Sequence, residues 1–154
     1  MELRITDGDG VSTEKIAGAL ASSIRQEIFE RTQCTASIGI ATNKLLAKLG
    51  TDRVKPNGSF VVEDYRDLLR PLKLRDLHGV GYHLDRKLSE AGLTTILDVW
   101  DLGDSAEAEL TRILGPGTGK KVFSFCHGKD DRPIAPAERK TIGAEVRGSF
   151  CVRI

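Results

Sequence analysis

The stretch Lys73-Leu74-Arg75-Asp76-Leu77-His78-Gly79-Val80-Gly81-Tyr82-His83-Leu84-Asp85-Arg86-Lys87-Leu88 constrains the chain more than any other. Leu72, Leu74 and Leu77 give a first short helix its apolar side, and Gly79 and Gly81 bracket Val80. A second helix begins near Gly81, with Leu84 and Leu88 four residues apart on one face. Two short helices joined by bare glycines make a helix-hairpin-helix. Glycine is used where the backbone turns tightly or lets another backbone come close. At the start of the second helix, free amides and the positive end of the dipole favour phosphate. Arg86 and Lys87 add charge one turn further on. Contacts of this kind hold a nucleic-acid backbone and read no sequence. The same glycines would also serve an ordinary packing corner, and the segment alone leaves both readings open.

Composition narrows the classes. A chain of 154 residues suffices for one medium domain or two small ones. Its 40% hydrophobic and 29% charged residues describe a globular protein, and a net charge of +1 gives no global basic signal. Nucleic-acid binding must therefore come from local clusters of Lys and Arg. No apolar run approaches a membrane span, and Met1-Glu2-Leu3-Arg4 does not open a signal peptide. Cys34, Cys126 and Cys151 are far apart and form no CxxC, which argues against a zinc site or disulfide framework and for a reducing cytosolic or nuclear compartment. Aromatic content of 5% argues against base stacking as the main binding mode.

In chain order, residues 1–6 read as a strand and Asp7-Gly8-Asp9-Gly10 as a turn, without the ligands of a calcium loop. Ser12 or Thr13 caps a helix to about Thr32, with Ile16, Leu20, Ile24 and Ile28 as its apolar face, Ala17 and Ala21 beside them, and Arg25, Gln26 and Glu30 turned away. Residues 35–41 read as a buried strand. Thr42 or Asn43 then caps a helix on which Lys44 and Lys48 share a face. Arg53 and Lys55 precede the turn Pro56-Asn57-Gly58 and a strand over 59–63. These cations form either a solvated face or a phosphate-binding corner. A short helix, Glu63 to Leu69, ends at a boundary around Pro71. Beyond it the chain reads as helix and turn: Ile96, Leu97, Val99 and Trp100 as core capped by Thr94 or Thr95, then Ser105 capping residues 106–114. Gly115-Pro116-Gly117-Thr118-Gly119 is a second glycine corner, with Lys120 and Lys121 at the next helix start, where they oppose the dipole unless an anion is present. Val122, Phe123, Phe125 and Cys126 fill that helix's inner face. Asp130-Asp131 reads as helix-terminating surface, with no third metal ligand nearby. A linker over 134–137 leads to a basic strand around Arg139 and Lys140, which runs out at Ile154 without a partner. The expected class is α+β: a small mixed unit with strands at about 1–6, 35–41 and 59–63 over residues 1–70, an all-helical unit over 71–133, and a linker and strand over 134–154.

Taken together, these motifs resemble a known family. Thr35-Ala36-Ser37-Ile38-Gly39-Ile40-Ala41-Thr42-Asn43-Lys44, Leu45-Leu46-Ala47-Lys48 and Lys55-Pro56-Asn57-Gly58 resemble the late palm of Y-family translesion DNA polymerases. The hairpin around Gly79-Val80-Gly81 is placed as in their thumb, and Glu138 to Glu145 resembles the first little-finger strand. Phe125-Cys126-His127-Gly128-Lys129-Asp130-Asp131-Arg132-Pro133-Ile134 is most similar to the deoxycytidyl-transferase branch. The resemblance implies that Lys55 contacts the triphosphate of an incoming dNTP, dCTP in that branch, with Lys44 and Lys48 near the same cleft. It implies that the amides at Gly79, Val80 and Gly81 hold the primer-side duplex of a primer-template DNA, helped by Gly117 and Gly119. The little-finger strand, with Arg139 and Lys140, would track the template. A nuclear protein with other translesion-synthesis partners is implied. The family's two Mg²⁺ ions need clustered carboxylates. The Asp-Glu pair would fall just before Met1, and Glu2 alone does not replace it. No catalytic or metal-ligating residue is therefore expected in this chain, which would be an inactive part of a nucleotidyltransferase, its open sheet edges prone to self-association. The rival readings are a non-catalytic DNA-binding module and a protein-interaction scaffold, for which the cations around the glycine turns have no use.

Overall fold

The computed structural model describes residues 13–134. The strand and turn expected over 1–10, and the strand carrying Arg139 and Lys140, lie outside the described residues.

Two layers organise the first half. The helix α1 (Thr13–Thr32) lies against two short parallel strands, β1 (Ile38–Ile40) and β2 (Ser59–Val61), with α2 (Lys44–Arg53) as the crossover between them. Ile38 pairs with Ser59, Gly39 with Phe60 and Ile40 with Val61. The strands are shorter than the expected 35–41 and 59–63. Parallel strands need such a crossover because a tight turn cannot reverse the chain twice. Gly39 allows α2 to sit directly on β1: a Cβ there would lie 2.1 Å from the Ala47 carbonyl oxygen and 2.4 Å from the Thr51 nitrogen. Thr51 turns this closeness to use, its Oγ1 accepting the Gly39 N–H at 2.8 Å.

The helix α1 corrects the expected packing. Its buried residue is Ala21, Gly18 approaches Val61, and Arg25 is half-buried. Arg25 donates to the Ala36 carbonyl at 2.8 Å and to the Asn57 side chain, so it faces the strands instead of solvent. Leu20 and Ile24, expected in the core, are each 41% exposed, and Phe29 is 43% exposed. Small residues let the helix come close to the sheet, and that contact rotates the larger apolar stripe outward.

After α3 (Tyr65–Leu69), capped by Asp64, the chain is helical: a 3-10 turn at Leu74–Asp76, α4 (Tyr82–Glu90), α5 (Ile96–Asp101), a 3-10 turn at Gly103–Ser105, α6 (Ala106–Leu114) and α7 (Pro116–Cys126). The first arm of the hairpin is thus a 3-10 turn instead of an α-helix. Thr95 caps α5, its hydroxyl accepting from Asp98 N–H at 3.2 Å, while the Asp98 carboxylate accepts both the Thr94 and Thr95 amides at 2.7 Å. Those backbone bonds favour the ionised form and pull the Asp98 carboxyl below its usual range. Ser105 holds the cap position of α6, but its hydroxyl donates back to the Leu102 carbonyl at 2.8 Å. Of the residues expected as the core of α5, Ile96 and Val99 are fully buried, whereas Leu97 is 40% exposed. Trp100 is structural as expected: its indole N–H donates to the Cys126 carbonyl at 2.9 Å.

One buried cluster runs through both halves. Leu45, Leu46 and Leu49 of α2 and Leu68 and Leu69 of α3 join Leu74, Leu77, Leu88, Ile96, Leu110 and Phe125. Each such side chain contributes about 1.5–3 kcal/mol on burial. The architecture is α+β, with helices outweighing a two-stranded sheet. No described helix is long and apolar enough to cross a membrane.

Candidate nucleotide and nucleic-acid interface

The first glycine corner is built by what it buries. Leu77 and Val80 are 2% and 6% exposed and pin the turn to the core. The Asp76 carboxylate accepts the Lys73 N–H at 2.9 Å, and the Val80 N–H is taken by the Leu77 carbonyl at 3.1 Å. Gly79 has φ +91°, a conformation costly for any residue with a Cβ. Gly81 caps α4, its carbonyl accepting from Leu84 and Asp85, each at 3.0 Å. The amides of Gly81, Tyr82 and His83 are then the orphan donors of this helix start, with no acceptor among the described residues. This corrects the expected set: Val80 anchors the turn and does not offer its amide. A Cβ at Gly79 or Gly81 would meet nothing within 4 Å, so the approach is open. Tyr82, 81% exposed, stands at its edge, a residue that hydrophobic periodicity gave no reason to single out. Arg86 is shared with Glu90 at 2.8 Å, whereas Lys87 has no partner among the described residues.

The second corner is half open. Gly115 has φ +85° and ends α6, donating to the Thr111 carbonyl at 2.9 Å. The helix α7 starts at Pro116, which has no N–H to satisfy. Gly119 donates to Gly115 at 2.8 Å, leaving the amides of Gly117 and Thr118 as the open donors. Gly119 is corrected: it is buried, and a Cβ there would lie 2.5 Å from Thr111 Cα and 2.6 Å from the Leu110 carbonyl oxygen. It is a contact between α6 and α7. Lys120 and Lys121 accordingly sit in the second turn of α7, both exposed, with the Lys121 ammonium 5.5 Å over the Phe125 ring.

The expected nucleotide lysines separate into two groups. Lys48 and Lys55 converge on one carboxylate: Asp52 accepts from Lys48 Nζ at 2.9 Å and from Lys55 Nζ at 2.6 Å. The bonds from Lys55 first and Lys48 second hold the Asp52 carboxyl below its ordinary range. Lys44 instead donates to the Pro133 carbonyl, in the segment that follows α7. A cleft of about 430 Å³, lined by Leu49, Asp52, Arg53, Leu68, Pro71, Leu72 and Asp76, links the acceptor of the two lysines to the base of the first hairpin.

Asp130, expected at the surface, is buried, its side chain 1% exposed. Arg132 gives it two bonds of 2.7 Å. The guanidinium, above all, keeps the Asp130 carboxyl below its usual range. Burial pushes the Cys126 thiol up to about 12. Among the described residues no three His, Cys, Asp or Glu side chains converge to hold a metal ion. The described residues therefore do not fit the Mg²⁺ site that the family resemblance implies.

Residues 4–52 match the impB/mucB/samB family, and residues 75–130 match the thumb domain of DNA polymerase-iota, together two thirds of the chain. The chain is 39% identical over 132 residues to the DNA repair protein Rev1 of Drosophila melanogaster, covering 83% of this chain and 13% of that protein. It is 39% identical over 129 residues to DNA polymerase IV of Exiguobacterium sibiricum, covering 82% of this chain and 35% of that one. Among solved structures, a Y-family DNA polymerase chimera, Dbh-Dpo4(243-245)-Dbh, superposes with a TM-score of 0.70 at 29% identity, over 82% of this chain and 37% of that chain. An insertion ternary complex of Dbh DNA polymerase gives 0.67 at 31% identity, over 79% and 35%. The chain thus spans from about an eighth to just over a third of the length of these relatives.

Proposed function

The chain belongs to the Y family of DNA polymerases, and from that premise we propose that it supplies the phosphate-gripping parts of a translesion polymerase. In this reading residues 1–70 are palm, 71–133 thumb, and 134–154 the linker and first strand of a little finger. The observation that carries it is the pair of glycine corners, each presenting helix-start amides that the described residues leave without an acceptor. Such amides, with the dipole behind them, hold an anion without reading sequence. Gly79, Gly81 and Gly117 form the contact surface on primer-template DNA, with Val80 and Gly119 as its anchors. Lys87, Lys120, Arg86, Arg139 and Lys140 supply charge along the duplex. Lys48 and Lys55, gathered by Asp52, take the phosphates of the incoming dNTP.

The reaction of the whole protein is transfer of a deoxynucleotide, dCMP, to a primer opposite damaged template, in the nucleus and alongside other translesion-synthesis proteins. The deoxycytidyl branch rests on the motif Phe125 to Ile134 and on the likeness to the Drosophila protein. Bound Mg²⁺ would supply charge neutralisation and activation of the primer oxygen. The described residues do not hold it, so their part is binding and orientation. The isolated chain grips DNA and extends no primer, and the exposed Leu20 and Ile24 ridge draws copies together.

Fluorescence anisotropy with a primer-template duplex, titrated at several salt concentrations, tests this. Binding should fall steeply with salt, Lys87→Ala should lower the log–log slope by about one, and Gly81→Leu should abolish the complex. Unchanged binding by Gly81→Leu overturns the DNA-gripping role of the first corner.

A further inference from the structure

We propose that Asp130 is a positioning residue for the nucleotide site: buried against Arg132, it shapes the segment that leaves α7 and clamps the first turn of α2, and so sets where Lys48, Asp52 and Lys55 stand. The inference deepens the dNTP-phosphate role of Lys48 and Lys55 and rests on it.

Two consecutive residues at the start of α2, Asn43 and Lys44, are tied to residues 128–133. Asn43 caps the helix, accepting from Leu46 N–H at 3.0 Å, and its Nδ2 donates to the Gly128 carbonyl at 2.7 Å. Lys44 donates to the Pro133 carbonyl. Between these two ties the segment is folded on itself by the Asp130–Arg132 ion pair. One hydrogen bond would not fix a helix, but two on consecutive residues, held by one folded segment, limit both its axial shift and its rotation.

The clamp is itself held from the other side. Asp130 also accepts the Arg132 backbone N–H at 3.3 Å, and the Arg132 guanidinium lies 5.5 Å over the Phe125 ring in the last turn of α7. Gly128, at φ +69°, threads the chain past Tyr65, whose ring would lie 2.7 Å from a Cβ there. A buried carboxylate is a poor choice for stability alone, since well-packed apolar side chains often serve as well or better. What the Asp130–Arg132 fork adds is a pair of directional bonds that fix the shape of the segment, which apolar packing does not supply.

The consequence runs down α2. Lys48 is one turn beyond Lys44, and Asp52 one turn beyond Lys48, on the same face. Asp52 gathers Lys55, so a rotation of the first turn moves both ammonium groups together. The same clamp joins α2 to the end of α7, whose start is the second glycine corner. The lysine pair and one DNA-gripping corner are therefore referenced to one fixed point.

The test uses the 154-residue chain at neutral pH, well below each variant's unfolding midpoint, with inorganic tripolyphosphate as probe and NMR titration as readout. Asp130→Asn should bind roughly fivefold more weakly, about one ordinary hydrogen bond's worth of order. Its Leu45 and Leu46 amides should exchange with solvent faster. Arg132→Lys, which keeps the charge and loses the fork, should fall between it and the parent. That variant decides the matter should Asp130→Asn fail to fold. Lys55→Ala separates the two claims. If it loses tripolyphosphate while folded Asp130→Asn and Arg132→Lys bind as the parent does, the positioning role is overturned and the lysine role stands. If Lys55→Ala binds undiminished, the phosphate role of the lysine falls, and the positioning role with it.

Discussion

Gly81 and Gly119 stand in similar glycine-rich corners, each close to a helix start, yet their surroundings are opposite. At Gly81 a Cβ would enter open space; at Gly119 it would lie 2.5 Å from the backbone of α6. The first corner spends its missing side chain on access, the second on letting two helices touch. Bare glycine therefore does not identify a ligand surface. The distinguishing observation is where the amide goes: the Gly119 N–H is used by Gly115, while the Gly81 N–H has no described acceptor.

The largest expected effect comes from breaking the closed corner. Gly119→Ala should destabilise the chain by about 2–3 kcal/mol through overpacking against α6, a fall of roughly 5–10 °C in melting temperature. Cys126, seven residues along α7, reports the same event chemically. Its thiol, held at about 12 by burial, should resist alkylation in the parent chain and become reactive in Gly119→Ala, as peptide mass spectrometry would show. Weakened DNA binding by Gly119→Ala without loss of stability would erase the contrast.

Next in size is Gly79→Ala, where φ +91° rather than crowding sets the cost, about 1 kcal/mol by thermal unfolding. Thr111, whose backbone receives Gly119, has a buried hydroxyl without a partner among the described residues. Thr111→Val should keep the shape, remove that unmet group and stabilise by about 0.5–1 kcal/mol in denaturant titration. Smallest in stability are Gly81→Ala and Gly117→Ala, each within about 0.5 kcal/mol of the parent. Their effect should appear instead in duplex affinity by anisotropy. Destabilisation by either would show that the open corner is closed after all.

Much of this was legible in the residues. Leucine spacing marked the hairpin, Asn43 and Thr95 marked helix starts, and the run from Thr35 to Gly58 marked strand, helix and turn. What escaped was contact across sequence distance. Periodicity placed Leu20 and Ile24 inside because it counts hydrophobic residues, whereas the small residues Ala17, Gly18 and Ala21 decided which face could approach the strands. Pro116 marks the true start of α7, which moves Lys120 and Lys121 into its second turn. Asp130 looked like surface because an acidic pair in a Gly- and Pro-flanked turn gives no sign that residues 128–133 fold back onto Asn43 and Lys44, far away in the chain; only Arg132, two residues on, gave a local hint.

The outward stripe on α1 has a practical side. Leu20 and Ile24, one turn apart and each about two-fifths wetted, form a greasy ridge on a helix whose other side is already occupied. Molecules crowded in a tube meet ridge to ridge long before any of them unfolds. The ceiling on a usable stock solution is thus set by this outer strip and not by the melting point, and a single lysine in place of Ile24 should raise it.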